Sequence, residues 1–377
     1  MVVDGVVLLA GLKVLLIVGF LFVGSLPIGG LGLPLQEVVP VIVDMDVDPS
    51  DTGALLYLLK HPGVSVRAVT VSCGITYIDE GVANVLRLLA YLGIRDIPVA
   101  GGKVTPLAGD NAFPTSWRDG SFNFYGLDLP PTDLQPSELN ASELIISVIT
   151  GSAENVTLVP LGPLTNIAIA LQADPSIRER ITVIHCMGGA VTVPGNVGYE
   201  YPPIPNYAAE WNIWVDPLAA DIVFTSGVPI TLIPLDATNE VPKNEAFRTR
   251  LESEMRTPEA AIVYEFLRPG LGAYFWDQLA AVALTDPSVV TFEWHYIEVL
   301  VDGGNETGWT QSLVQDPPNT KVAVHANAQL FEDIFLAVLN YLEPYPALLG
   351  LIIIAVAVGV GIVLCIIVIV YFRRREP

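Results

Sequence analysis

Residues 38–60, VVPVIVDMDVDPSDTGALLYLLK, join a run of β-branched residues to an apolar, helix-like run through a short acidic loop. The first run is typical of a buried strand and the last is typical of a helix. Between them lie four carboxylates, at Asp44, Asp46, Asp48 and Asp51. In an open parallel sheet, ligands bind beyond the carboxyl ends of the strands, on the loops that lead into helices. The stretch therefore predicts a strand, a helix and a ligand site between them.

The chain repeats this alternation of strand-like and helix-like runs as far as residue 342. Examples in chain order are VSVRAVTVS, DEGVANVLRLLAYLG, NVTLVPLG, LTNIAIALQAD and PITLIPLD. Such alternation predicts parallel β-α units, and continuous apolar strands predict helices on both faces of the sheet. The predicted fold class is α/β, with a doubly wound, mainly parallel sheet and an added C-terminal transmembrane helix. Residues 106–133, rich in Pro, Gly, Asn and aromatic residues, predict a long surface excursion.

Two apolar segments flank this α/β region. Residues 1–36 are typical of a signal peptide or an N-terminal membrane anchor, because Lys13 precedes a long apolar run. Residues 347–372 carry no charge and outnumber the roughly 20 residues that a bilayer span needs. The tail 373–377 begins with three arginines, which favour the cytoplasmic side. These features predict a cell-membrane protein with a lipid bilayer as partner and with the domain 37–342 outside; a second, N-terminal span stays open.

The charge balance and the cysteines exclude several classes of function. The chain has 40 acidic residues against 18 basic ones. The sequence has no basic patch that could bind along a phosphate backbone, so nucleic acid is not predicted as a partner. Cys365 falls in the C-terminal apolar segment, which leaves Cys73 and Cys186 and no disulfide framework. Zinc is disfavoured, because the sequence has no cluster of histidines and cysteines.

The acidic loop itself has two interpretations. Carboxylates that are held together raise one another's pKa unless a cation compensates them. Hard cations such as Ca²⁺ take about six to eight oxygen ligands from carboxylates, carbonyls and water. The alternative is a solvated turn, in which the aspartates cap the helix that follows. Composition alone leaves both interpretations open.

Several motifs in order resemble those of the inosine-uridine-preferring nucleoside hydrolases. The family's pattern D-x-D-x-x-x-D-D is matched at Asp44, Asp46, Ser50 and Asp51, so that serine takes one acidic position. Further matches follow along the chain in VTLVPLGPLTNIAIAL, VIHCMGGAVTVPGN, AEWNIWVDPLAADIVF and YFWDQLAAVALTDPSVV. Together they extend over about residues 38–342. Because the motifs are separate and in the right order, the resemblance is more specific than any one of them.

The resemblance implies roles for particular residues. Asp46, Asp51, Asp277 and the backbone carbonyl of Leu161 match the family's calcium ligands. Asp46 also matches the general base that takes a proton from the attacking water. The positions that hold the ribose hydroxyls are matched by Asn196, Glu210 and Asn212. Glycosidic cleavage passes through an oxocarbenium-like transition state, and a metal ion that orients water and sugar hydroxyls suits that chemistry.

Three positions depart from the family. Ser50 replaces a carboxylate that contacts the ribose, although a hydroxyl can still hydrogen-bond a sugar. Asp48 is interpreted either as compensating for Ser50 or, preferably, as a solvated turn residue. Ile75 falls where many members have a sugar-binding asparagine. Trp276 stands where well-known members have a histidine that protonates the leaving base, and it is expected to stack on the base or to fill the core.

No histidine of the chain lies in a matching loop, so the leaving-group acid must come from elsewhere. Tyr199 and Tyr201 are the candidates that the sequence offers. His185 lies inside an apolar strand and is interpreted as structural.

The leading functional hypothesis is calcium-dependent hydrolysis of the N-glycosidic bond of ribonucleosides to ribose and free base. One alternative is a hydrolase for a different N-glycoside, since Ser50 and Ile75 both alter the sugar pocket. The other is a non-catalytic calcium-binding surface domain, which the missing acid at Trp276 would favour. A homo-oligomer is left open.

Overall fold

The computed structural model describes residues 38–267 and 273–342, in which nine strands form one mixed sheet. The strands are β1 Val39–Met45, β2 Val64–Val71, β3 Val99–Gly101, β4 Val156–Pro160, β5 Ile181–Met187, β6 Ile230–Ile233, β7 Val290–Val299, β8 Thr310–Leu313 and β9 Thr320–Ala326. Their order in the sheet is β3-β2-β1-β4-β5-β6-β9-β7-β8. In this spatial order, the first seven strands, β3-β2-β1-β4-β5-β6-β9, are parallel to their neighbours. β7 is antiparallel to both of its neighbours, β9 and β8.

Helices connect the strands. The α-helices are α1 Pro49–Lys60, α2 Ile78–Tyr91, α3 Thr115–Arg118, α4 Ala141–Gly151, α5 Thr165–Ala173, α6 Val197–Glu200, α7 Trp211–Val215, α8 Pro217–Phe224, α9 Leu235–Thr238, α10 Glu245–Glu254, α11 Pro258–Phe266, α12 Trp276–Thr285 and α13 Ala328–Leu339. Short 3-10 helices occupy Asp119–Gly126, Pro175–Arg180, Pro287–Val289 and Gly304–Glu306.

Each face of the sheet is covered by its own apolar core. Val41 and Val43 of β1 pack into one core with side chains of α1, α2, α12 and α13. Ile42, between them, points into the other core with side chains of α4, α5 and α8. Because successive residues of a strand point to opposite faces, β1 must be apolar at nearly every position. The prediction of a doubly wound, mainly parallel sheet is confirmed.

The loop from β1 to α1 is fixed by its own side chains. Asp48 caps α1 by accepting hydrogen bonds from the backbone N–H groups of Ser50 and Asp51, and Pro49 begins the helix. The Asp51 carboxylate accepts in return from the backbone N–H of Asp48 at 3.0 Å. Val47, just before the cap, has a φ of 66°. A β-branched residue rarely adopts this left-handed conformation, which costs about 1–3 kcal/mol and persists only where the surroundings impose it.

The predicted membrane localisation is corrected by the structure. Within residues 38–267 and 273–342, no helix is long and apolar enough to cross a bilayer. The longest of them, α2, has 14 residues, whereas a span needs about 20. The predicted segments 1–36, 347–372 and 373–377 lie outside the described residues, and the domain boundaries based on them stay predictions. The predictions of membrane localisation and of a lipid bilayer as partner therefore have no support in the described residues.

Candidate active site

A cavity of about 530 Å³ opens beyond the carboxyl ends of the central strands. It is lined by nearly all the residues singled out in the sequence, namely Asp46, Asp51, Leu161, Asn196, Glu210, Asn212, Trp276 and Asp277. Ser50 is absent from this lining. Asp48 and Glu200 add two further carboxylates to it. The motifs that are far apart in sequence thus meet at the edge of the sheet where parallel strands place ligand sites.

Three carboxylates crowd together at one end of the cavity. Single oxygen atoms of Asp48, Asp51 and Asp277 lie within 4.8 Å of one another. Burial is the main cause that raises the pKa values of Asp51 and Asp277, and neighbouring carboxylates add to it. Asp277 Oδ1 is buried and has no hydrogen-bond partner among the described residues. A buried acceptor without a donor, beside two more carboxylates, fits the oxygen ligand set of a hard divalent cation.

Asp46 lies beside this cluster and is held by the backbone of another loop. Its Oδ2 accepts a hydrogen bond from the backbone N–H of Ile75 at 2.8 Å. A Cβ at Gly74 would stand only 1.9 Å from the same oxygen, so this close approach requires glycine. Burial, followed by the charge of Asp48, raises the pKa of Asp46 to about 7. Ile75, whose side chain cannot hydrogen-bond, therefore contributes its backbone.

The loop before α7 and the first residues of that helix supply further polar groups to the cavity lining. Glu210 caps α7, and its two oxygens accept from the backbone N–H groups of Asn212 and Gly189, each at 2.9 Å. Burial raises the pKa of Glu210 to about 7. Asn212 Nδ2 donates to the Leu161 carbonyl at 2.8 Å. That carbonyl has a second lone pair, so it can also serve as the predicted main-chain metal ligand.

An aromatic wall forms another part of the cavity lining. The rings of Phe113 and Trp211 stack with centroids 4.6 Å apart, and Trp117 meets Trp211 edge-on at 5.3 Å. Two of these rings come from the excursion 106–133, which the sequence assigned only to the surface. Its aromatic richness was the signal that could have placed it in the site. Trp276 lines the cavity too, and its indole N–H has no acceptor among the described residues.

Ser50 and two tyrosines lie elsewhere than expected for substrate contacts. Ser50 is 1% exposed, and its hydroxyl donates to Gln278 Oε1 at 2.9 Å. Tyr199 is 65% exposed and packs against Tyr207, outside the cavity lining. Tyr201 packs edge-on against Trp117 and is likewise outside the lining. The structure therefore brings the predicted carboxylates together, but not these three hydroxyl groups.

Two groups of lining residues suit different parts of one molecule. Hydroxyl groups match the carboxylates and amides, which offer oxygen ligands and hydrogen-bond donors. A flat ring matches the aromatic residues, since aromatic side chains stack on planar groups. A cavity of a few hundred Å³ that combines the two is the size of a small-molecule site.

Comparison with known proteins supports this interpretation. Residues 41–333 match the model of the family described as inosine-uridine preferring nucleoside hydrolase. The pyrimidine-specific ribonucleoside hydrolase RihA of Salmonella typhi is 34% identical over 323 residues, which cover 80% of this chain and 99% of that protein. RihA of Photobacterium profundum is 33% identical over 315 residues, covering 78% and 96% of the two chains.

Solved structures are similar as well. A purine-preferring ribonucleoside hydrolase from Gardnerella vaginalis has a TM-score of 0.70 at 30% identity, covering 80% of this chain and 98% of its own. The inosine-uridine preferring nucleoside hydrolase of Bacillus anthracis has a TM-score of 0.72 at 25% identity, covering 80% and 99%. The family match extends over well more than half of the chain and includes every strand that forms the cavity. The chain therefore belongs to the inosine-uridine preferring nucleoside hydrolase family and is an N-glycosidase.

Proposed function

We propose that this enzyme hydrolyses ribonucleosides to ribose and free base in a calcium-dependent reaction. The observation that carries the proposal is the cluster of Asp48, Asp51 and Asp277 beside Asp46, in a cavity that is also lined by aromatic side chains. Hydroxyl-bearing sugar and flat base then have separate places in one site.

The cation would be held by Asp51, Asp277, Asp46 and the Leu161 carbonyl, as the resemblance implies, with Asp48 added by the structure. The fit rests on the unpartnered Asp277 Oδ1 and on a donor set made only of oxygen atoms. When bound, calcium would orient the attacking water, lower its pKa and chelate two sugar hydroxyls.

The remaining steps belong to the chain's own side chains. Asp46 takes the proton of the attacking water, and the N–H of Ile75 keeps its carboxylate in place. Asn196, Glu210 and Asn212 hold the ribose hydroxyls, and fixing them supplies binding energy that is used in the transition state. Trp276 lies against the base, where its free indole N–H can donate to a ring acceptor.

Hydrolysis of a different N-glycoside is the second candidate, because Ser50 faces Gln278 instead of the cavity. A sugar whose recognition needs no acceptor from position 50 would suit this pocket. The non-catalytic alternative is disfavoured by membership in a family of hydrolases.

The test is sugar release by the full chain from a panel of purine and pyrimidine nucleosides, with calcium present and then chelated. We expect sugar release only with calcium. The rate of release should fall at least about 100-fold in Asp46→Asn, since general-base catalysis contributes about 10²–10⁴-fold to a rate. The proposal fails if the wild type releases no ribose from any nucleoside. It also fails if chelation leaves the rate unchanged.

A further inference from the structure

Glu200 is a carboxyl group of the cavity that the reaction outlined above does not use. It ends α6 and lines the cavity beside the aromatic wall. Its Oε2 accepts a hydrogen bond from the indole Nε1 of Trp211 at 2.8 Å. Among residues 38–267 and 273–342, its Oε1 has only a long contact of 3.4 Å, from the side-chain amide of Asn196. One oxygen is therefore anchored, and the other is the freer to meet a ligand.

We propose that Glu200 is the general acid that protonates the leaving base as the glycosidic bond breaks. The inference rests on the proposed function, because that function places the sugar hydroxyls beside the carboxylate cluster of Asp48, Asp51 and Asp277. The base then extends toward the aromatic wall of Phe113, Trp117 and Trp211. Glu200 accepts a hydrogen bond from Trp211 of this wall. Asn196, assigned to a ribose hydroxyl, contacts the same carboxyl, so Glu200 lies next to the sugar on the side of the base.

The surroundings of Glu200 favour its protonated form. Solvent reaches the side chain through the open cavity, yet crowding by protein raises the pKa of its carboxyl above the ordinary value. Burial is the largest cause of this rise, and the hydrogen bonds from Trp211 and Asn196 oppose it. The charged groups that face Glu200 among the described residues are Asp48, whose charge adds to the rise but would be compensated by a bound cation, and Glu210. A raised pKa keeps more of this carboxyl protonated than in an ordinary glutamate, and the protonated form is the one that can act as an acid.

The other groups of the cavity suit this role less well. Tyr125 lines it, but burial and the charges of Asp48 and Asp46 raise the pKa of its phenol, which makes it a weaker acid. The indole N–H of Trp276 can donate a hydrogen bond but does not give up its proton. The histidines lie outside the lining, at His61, His185, His295 and His325.

The protons balance in the following way. The C1′–N bond breaks, its electron pair goes to the base, and the Glu200 carboxyl proton moves to a ring nitrogen or carbonyl oxygen of the base. Water adds to C1′ and gives a proton to Asp46. The products are ribose and neutral base. Glu200 then regains a proton from solvent, and Asp46 releases one.

The test compares two kinds of substrate in the full-length, calcium-loaded enzyme. Uridine and inosine have leaving groups that need protonation, whereas 4-nitrophenyl β-D-ribofuranoside releases a stable anion. The variant is Glu200→Gln, whose amide oxygen can still accept from Trp211 while the acidic proton is lost. Glu154→Gln, at an exposed position on the loop before β4, controls for the change in net charge.

We expect Glu200→Gln to lower kcat on the nucleosides by about 100-fold and to change kcat on the nitrophenyl riboside by less than about threefold. In the wild type, kcat on nucleosides should fall as pH rises and Glu200 loses its proton, and this fall should be absent in Glu200→Gln. Equal losses on both kinds of substrate, or no loss on either, would overturn the inference while leaving the hydrolase function in place. Failure of the wild type on nucleosides and nitrophenyl riboside alike would reject both.

Discussion

The Ser50 hydroxyl donates a hydrogen bond to Gln278 Oε1 at 2.9 Å, and the backbone N–H of Asp277 points at the same hydroxyl at 3.3 Å. This contact joins the first turn of α1 to the first turn of α12, across 228 positions of the sequence. Each of these turns carries a carboxylate of the cluster, Asp51 and Asp277 respectively. Ser50 therefore fixes the separation of two proposed metal ligands without touching the cavity.

Replacing Ser50 with alanine should lower stability and weaken calcium binding. The change leaves Gln278 Oε1 buried without its donor, a loss worth about 1–3 kcal/mol. We expect a lower unfolding midpoint in denaturant, together with weaker calcium binding in a calorimetric titration. Ser147→Ala, at an exposed position of α4, should change neither quantity. Unaltered stability in Ser50→Ala would show that this contact does not support the site.

Gly74→Ala should disable the enzyme while leaving it folded. The added Cβ would lie 1.9 Å from Asp46 Oδ2, so the general base must move. A displacement of about 1 Å in a catalytic group can cost about 100-fold in rate. Steady-state kinetics with uridine should show this fall, and circular dichroism should show an unchanged fold. At Gly151 an added Cβ meets nothing within 4 Å, so Gly151→Ala is the matched control. Normal turnover in Gly74→Ala would refute the assigned position of Asp46.

The architecture and most of the carboxylates of the site could be predicted from the sequence. The β1–loop–α1 stretch is determined by residues that are close together in sequence. Asp48, for example, caps the helix that begins at the next residue. Parallel β-α alternation then sends the loops after β1, β4 and β5 to one edge. This is why Asp46, Leu161 and Asn196 line one cavity although they are far apart in sequence.

The orientation of individual side chains could not be predicted in the same way. Whether position 48 or position 50 faces the cavity depends on the left-handed backbone at Val47 and on Gln278, which lies 228 positions from Ser50 in sequence and accepts its hydrogen bond. Sequence spacing contains neither fact. The sequence offers the tyrosines on each side of Glu200 as candidate acids and gives no sign of Glu200 itself, because only the hydrogen bond to Trp211 and the cavity lining show which of the three enters the cavity.

Asp48→Asn should weaken calcium binding without unfolding α1. Asparagine caps helices about as well as aspartate, so the start of the helix is preserved. The variant lacks one negative charge of the cluster with Asp51 and Asp277. We expect calcium affinity to fall at least about tenfold, within the range seen when groups that support a metal site are lost. Isothermal titration calorimetry measures it, with Asp79→Asn at an exposed position of α2 as control. If both variants bind calcium like the wild type, Asp48 is a cap and not a ligand.

Removal of calcium should make stability depend on pH in a defined direction. The folded pKa values of Asp46, Asp51 and Asp277 lie above the ordinary value for aspartate, that of Asp46 at about 7. Between the ordinary and the raised pKa, the folded chain binds more protons than the unfolded chain, so the free energy of unfolding falls as pH rises. For Asp46 this window runs from about pH 4 to about pH 7. The chelated protein should therefore have a lower Tm at pH 8 than at pH 6.

Calcium should reverse this loss, because a bound cation compensates the ionised carboxylates and stabilises only the folded state. The increase in Tm on adding calcium should accordingly be larger at pH 8 than at pH 6, where protons compete for the same oxygens. Differential scanning fluorimetry of the full chain at both pH values, with and without chelator, measures the four midpoints. The triple replacement of Asp46, Asp51 and Asp277 by asparagine should remove most of the calcium effect. It should also remove these three groups' share of the decline with pH, whereas Asp44 and Glu210, whose pKa values are raised to about 7, keep theirs. An equal calcium effect at both pH values would contradict a site built from these buried carboxylates.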